Sequence, residues 1–286
     1  MSIRITTLTE NTASWVHLLA EWGLSMLVET EDCRILSDTG TTFVTAYNAN
    51  TMGVNLTQVD RVFFSHGHFD HTGGLLHVLR LMKKQVEVIA HPDIWAEKYY
   101  FNPERKACFY NPADKYEYIG VPFSREEAEK FGACFNLTRE PVWITDNIVT
   151  SGEIPMLTEY ETIDPDLYVR EDGEFKPDPL SDDQSLFIKS DKGLVVVAGC
   201  AHRGIVNVLN HARQLTGVES VYAVIGGTHL APASPERLKL TIAELKRLGV
   251  QRVAASHCTG LPAACALARE FGDRFLFNNA GTCITL

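Results

Sequence analysis

The chain has 286 residues, of which 45% are hydrophobic and 22% charged, the make-up of an ordinary globular protein of one large domain or two small ones. A formal net charge of −10 argues against a nucleic-acid partner, which calls for a basic surface. The start M-S-I-R-I-T-T-L-T-E lacks the apolar core of a signal peptide, no apolar run reaches membrane-spanning length, and the seven cysteines are scattered without a C-x-x-C. These features set the expectation of a cytoplasmic protein with no membrane partner.

The first 64 residues read as short strands and turns, with G-L-S-M-L-V-E-T and C-R-I-L-S-D-T-G as apolar runs closed by polar or Gly signals. R-V-F-F predicts a buried strand. It runs into S-H-G-H-F-D-H-T-G-G at residues 65–74, after which L-L-H-V-L-R-L-M predicts a helix. V-E-V-I-A-H predicts a strand ending at His91. Residues from about 92 to 140 break the pattern and hold eleven aromatic residues, Trp95, Tyr99, Tyr116 and Tyr118 among them. A long excursion of this kind reads as an insertion. It would serve as a lid or pocket wall, as the contact of a homodimer, or as a satellite core.

Beyond it, V-W-I-T-D-N-I-V-T reads as strand, and residues 158–184 as a hairpin and loop. S-L-F-I-K-S-D-K-G-L-V-V-V-A-G reads as a hairpin turning at Asp191-Lys192-Gly193. G-I-V-N-V-L-N-H-A-R-Q-L has helical spacing, V-Y-A-V-I-G-G follows as a strand, and S-P-E-R-L-K-L-T-I-A-E-L-K-R-L-G carries helix start and stop signals. R-V-A-A-S then predicts a strand ending at His257. No linker or repeat divides the chain, so residues 1–286 are read as a single domain with one insertion.

The chemistry concentrates in residues 65–74. His66, His68, Asp70 and His71 place four metal-capable side chains within six positions. Imidazole and carboxylate suit zinc, and also manganese or iron. On a strand-to-helix turn, His66 and His68 can share one metal while Asp70 and His71 point toward a second. The competing reading is a His-rich surface loop. Asp70 is also placed to orient a water or take its proton. Three more apolar strands end in chemical groups: A-G-C-A-H-R-G with Cys200 and His202, G-G-T-H-L with His229, and S-H-C-T-G with His257. His229 is read as a catalytic group on the substrate side, and His91 as a weaker substrate contact. Arg203, just before a helix starting near Gly204, is read as a holder of phosphate or carboxylate.

The order H-x-H-x-D-H resembles the signature of the metallo-β-lactamase superfamily. That resemblance implies an α/β protein, an αββα sandwich of two mixed sheets flanked by helices, with two divalent metal ions at one edge. Asp38 of D-T-G would support the metal loop, and His257 would supply the last ligand. Where the wider superfamily carries G-D, with a bridging Asp, this chain has Gly199-Cys200. His202 is therefore expected as the ligand in preference to Cys200.

G-L-S-M-L-V-E-T, S-H-G-H-F-D-H-T-G-G-L, A-H-P-D-I-W, D-D-Q-S-L-F-I, G-C-A-H-R-G-I-V-N, I-G-G-T-H-L and S-H-C-T-G together resemble the superfamily's dihydropterin synthase-like branch, from about residue 8 to 283. The implied function is a metal-dependent enzyme acting on a phosphorylated or pterin-like small molecule, with zinc as the first choice of metal. The alternatives are a metallo-hydrolase of a lactone, phosphodiester or other ester, and a non-catalytic metal or ligand sensor. A di-iron oxidoreductase is disfavoured, because His68 stands where that form commonly carries Glu.

Overall fold

Alternation along the strands sets the layers. On the strand Gly193–Ala198, Leu194, Val196 and Ala198 pack beneath helices, while Val195 and Val197 face the opposite sheet. Period-two side chains buried on both faces require a layer on each side. The computed structural model describes residues 2–103 and 115–286, and supplies both layers.

The first sheet has seven strands in the order β17-β1-β2-β3-β4-β5-β8. They are β1 (Arg4–Thr9), β2 (Ser25–Glu29), β3 (Arg34–Ser37), β4 (Arg61–Phe63), β5 (Val86–Ala90), β8 (Ala133–Leu137) and β17 (Cys283–Thr285). The second has six, β16-β15-β14-β13-β12-β9: β9 (Ile148–Thr150), β12 (Ser185–Ser190), β13 (Gly193–Ala198), β14 (Val221–Gly226), β15 (Arg252–Ala255) and β16 (Phe275–Phe277). Each sheet is mixed, with β3-β4-β5-β8 and β13-β14-β15-β16 parallel and the remaining pairs antiparallel.

Between the sheets lies a core of Ile5, Met26, Ile35, Phe63, Leu186, Ile188, Val197 and their neighbours. Each fully buried aliphatic side chain contributes about 1.5–3 kcal/mol relative to exposure. Helices α1 (Val44–Thr51), α3 (Leu75–Met82) and α4 (Arg125–Lys130) cover the outside of the first sheet, and α5 (Ile205–Thr216), α6 (Pro235–Arg247) and α7 (Leu261–Phe271) that of the second. The expected αββα sandwich is the observed one. No helix of the described residues is long and apolar enough to cross a membrane.

Local signals fall where the sequence put them. Ser234 caps α6 by accepting from Arg237 N–H, with Pro235 in the first turn. The β12–β13 hairpin pairs Ser190 with Gly193 across Asp191-Lys192. Helix α1 was not foreseen. Its F-V-T-A-Y-N-A-N sequence favours strand or turn, and tertiary bonds override that preference: Asn48 Nδ2 donates to Leu8 O and Leu19 O at 2.7 and 2.8 Å.

The aromatic segment is not one insertion. Its second half rejoins the sandwich as α4 and β8. Its first half forms β6 (Glu97–Phe101) and β7 (Tyr116–Tyr118), which pair with β10 (Leu167–Glu171) and β11 (Glu174–Pro177) as a third sheet, β11-β10-β6-β7. Phe109 and Tyr110, counted with the segment, lie outside the described residues.

Candidate metal centre

All the singled-out strand-end groups but His91 converge at one edge of the sandwich, from both sheets. His66 follows β4, and Phe69–Thr72 forms the short helix α2. Cys200 and His202 follow β13, His229 follows β14, and His257 follows β15. The donors form overlapping groups of three, Cys200 belonging to several of them. His66 Nε2 lies 3.0 Å from His68 Nδ1 and 3.2 Å from His202 Nε2. His257 Nε2 lies 3.2 Å from both Asp70 Oδ2 and His71 Nε2. Cys200 Sγ lies 3.1 Å from His71 Nε2. His66–His68–His202 and Asp70–His71–His257 each have their donor atoms within 4.8 Å of one another, as does Cys200–His202–His229.

These residues fit a metal. Ring nitrogens of His68 (Nε2), His202 (Nδ1) and His229 (both) are buried without a hydrogen-bond partner, a cost that folded proteins otherwise avoid. Unprotonated imidazole nitrogens that face each other at hydrogen-bond distance can ligate a shared cation; without one, one nitrogen of each pair must carry a proton.

A supporting network fixes the rings. Asp38, fully buried, accepts from Ser65 N–H and Ser65 Oγ at 2.8 Å each, and its Oδ2 lies 2.8 Å from His71 Nδ1. That contact turns His71 Nε2 toward the centre, the role expected of Asp38. Gly199 permits the arrangement, since a Cβ there would lie 2.1 Å from Ser65 Oγ. Asn11 Oδ1 lies 2.9 Å from His257 Nδ1, and Glu10 Oε1 accepts from His257 N–H at 2.6 Å. Asp182 Oδ2 accepts from Gly67 N–H at 2.8 Å, and Asp183 Oδ2 from Arg203 N–H at 3.0 Å. Four residues here hold left-handed backbone without being glycine: Asp38 (φ 59°), Ala201 (54°), His229 (46°) and His257 (53°). Strain of this kind collects where side chains are aimed.

The electrostatics divide the histidines. Burial, with neighbouring histidines, holds His66 and His202 well below the ordinary 6.5, and burial with Lys98 lowers His68 to about 3. These rings are neutral at neutral pH, as ligation requires. Burial also lowers His71, but Asp38 and Asp70 outweigh it and push the group up to about 9. Burial raises Asp70, yet His71 and His257 hold it well below the usual carboxylate range. Burial drives the Cys200 thiol upward, and neighbouring Cys258 and Asp70 add to the rise.

Two of the singled-out side chains are held by contacts outside the cluster. Arg203 Nε donates to Ile154 O at 2.6 Å and its Nη1 to Pro179 O at 2.8 Å. The N-terminus of α5 is already filled from within, because Glu161 accepts from Val206 N–H and Asn207 N–H at 2.8 Å each. Gly204 is the residue that admits this carboxylate, with φ 95° and a would-be Cβ 2.2 Å from Glu161 Cδ. His91 caps a turn instead of facing the cluster. Its Nδ1 accepts from Asp93 N–H at 3.0 Å, and its Nε2 lies 3.1 Å from Glu153 Oε1.

Beside the metal loop lies a cavity of ≈ 890 Å³ whose walls include Phe69, Tyr99, Tyr116, Tyr118 and Phe123. Phe69 stands between His68 and Asp70, and its N–H donates to Ile119 O at 2.9 Å. The aromatic segment therefore touches the metal loop at Phe69.

The metallo-β-lactamase superfamily model matches residues 23–257, and the chain belongs to that superfamily. Over 99% of its length it is 35% identical to 7,8-dihydropterin-6-methyl-4-(β-D-ribofuranosyl)-aminobenzene-5′-phosphate synthase of Methanocaldococcus jannaschii, covering 96% of that protein. It is also similar to the crystal structure of Tm1679, a metal-dependent hydrolase of the β-lactamase superfamily, at TM-score 0.81 and 28% identity, covering 99% of this chain and 98% of that one. Zinc-bound PqqB from Methylobacterium extorquens shares the fold at TM-score 0.58 and 10% identity, covering 99% and 100% of the two chains.

Proposed function

We propose that the protein is a metal-dependent enzyme with a two-cation centre, and that it acts as a synthase on a phosphorylated, pterin-like small molecule. The observation that carries the reading is the meeting of two three-donor sets at one sheet edge. His66, His68 and His202 would hold one divalent cation and Asp70, His71 and His257 the other, with zinc favoured by the imidazole-rich set. Cations bound there supply Lewis acidity toward a phosphate or another leaving group.

The chain's own residues do the rest. Asp70 stays ionised and accepts a proton from the attacking group. His229, with both ring nitrogens unpaired and its ring 4.0 Å from that of His202, delivers a proton to the leaving group. Phe69, Tyr99 and Tyr118 offer faces on which a flat ring stacks. The 35% identity over almost the whole chain supports the synthase reading. The likeness to Tm1679 supports a hydrolase as the second reading.

The deciding experiment assays purified protein against pterin diphosphates with an aryl ribosyl phosphate acceptor, phosphoesters and lactones, before and after chelation. Metal per chain is counted by mass spectrometry. Chelator-sensitive turnover of the pterin substrate supports the synthase. Chelator-sensitive hydrolysis alone selects the second reading, and protein without bound metal sinks both.

A further inference from the structure

Lys98 lies on β6 and is 1% exposed. Its Nζ donates to Asp178 Oδ2 at 2.8 Å and to Asp182 Oδ1 at 2.9 Å, and both carboxylates are buried. The two acids then diverge. The second oxygen of Asp178 accepts from Leu180 N–H at 2.7 Å, within its own loop. The second oxygen of Asp182 accepts from Gly67 N–H at 2.8 Å, and Gly67 stands between His66 and His68. A Cβ on Gly67 would lie 2.5 Å from Ile94 O, so the loop has no slack on its far side.

We propose that Lys98 is a positioning residue for the metal loop: through Asp182 it holds Gly67 so that His66 and His68 present their nitrogens to one cation. A lysine between two acids is a poor choice for stability alone, since packed apolar side chains in such a place serve as well or better. What the ion triad adds is direction, and only its Asp182 arm reaches the histidines. The charge pattern agrees. Burial raises Asp182, but Lys98 holds it below the usual range, whereas Asp178 stays raised by burial. The same strand carries Tyr99 into the aromatic cavity, so the cavity wall and the metal loop share one anchor.

The inference rests on the reading that His66, His68 and His202 bind a cation, and the test keeps the two apart. In a His257→Ala background, cobalt affinity is measured by chelator competition, together with the visible cobalt spectrum and the thermal midpoint of the metal-free protein. Lys98→Met and Asp182→Asn should weaken cobalt binding about 10–100-fold, the usual effect of losing a group that orients a ligand, and should alter the spectrum. Asp178→Asn removes the other arm of the triad and should leave affinity and spectrum as in the parent. Should Lys98→Met fail to fold, the two Asn variants decide. The proposal is overturned if Asp182→Asn binds cobalt like the parent, or if Asp178→Asn weakens it equally. A parent that binds no cobalt overturns the metal reading instead.

Discussion

Asp38→Asn isolates the electrostatic support of His71. Asn is the residue closest to Asp in shape and in tolerance of left-handed backbone, so φ 59° at this position survives the change. The carboxylate serves three contacts, two on Oδ2, Ser65 Oγ and His71 Nδ1, and one on Oδ1, the Ser65 N–H. The amide has one accepting oxygen. If that oxygen stays on Ser65 N–H, the NH₂ faces His71 Nδ1, which must then accept. The ring proton moves to Nε2, the nitrogen 3.2 Å from His257 and 3.1 Å from Cys200, and a protonated nitrogen cannot ligate. One hydrogen bond to a charged group is worth about 1.5–3 kcal/mol, or roughly 10–100-fold in affinity. The assay is metal per chain by mass spectrometry across a chelator series, with the His71 tautomer read by nitrogen-15 NMR. The variant should lose one of its two cations at a chelator concentration that leaves the parent full. Equal retention, with Nδ1 still protonated, refutes the reasoning.

The other expectations concern pH and individual ligands. The folded pKa of His71, about 9, stands above the ordinary 6.5. Its stabilisation of the metal-free protein, about 3 kcal/mol, is therefore complete below pH 6.5 and lost as pH rises through about 9. Denaturant midpoints of metal-free protein should fall across that window, and a flat profile would count against the Asp38–His71 pair. Metal affinity at the Asp70–His71–His257 set should rise about tenfold per pH unit up to the same limit, as a proton is displaced. Chelator competition at three pH values reads the slope. His202→Ala should cost more metal than Cys200→Ser. A sulfur-to-cobalt charge-transfer band that Cys200→Ser abolishes would reverse the order. His229→Ala should keep both cations and lower turnover, and metal loss in that variant would place His229 among the ligands.

Much of the site was legible because its chemistry is local. H-x-H-x-D-H needs no tertiary information, and the strand-end positions of His202, His229 and His257 follow from apolar runs that stop. The supports were illegible because they are distant. Lys98 meets Asp182 across 84 positions, and Asn11 meets His257 across 246. Glu161 sits in a loop without periodicity, so nothing marked it as the carboxylate that fills the α5 terminus. D-D-Q-S stood out in the sequence only as a resemblance. Its function as a clamp on Gly67 and on the backbone of Arg203 appears once the two sheets are docked. The aromatic segment misled for a similar reason. Its strand β6 pairs with β7 on one side and, on the other, with β10, whose residues come more than fifty positions later.

The donors are divided between the halves of the chain. His66, His68, Asp70 and His71 leave the first sheet, while Cys200, His202 and His257 leave the second. A cation bound to either set would therefore span the seam, and a chain with separated sheets can offer at most two of the three donors in each. Ion binding and sheet docking obey one mass-action law: free metal at a thousand times the dissociation constant adds about 4 kcal/mol to the docked state. Metal supply in the cell would then set how long the protein lasts as well as whether it works, and a starved population would be thinned by proteolysis.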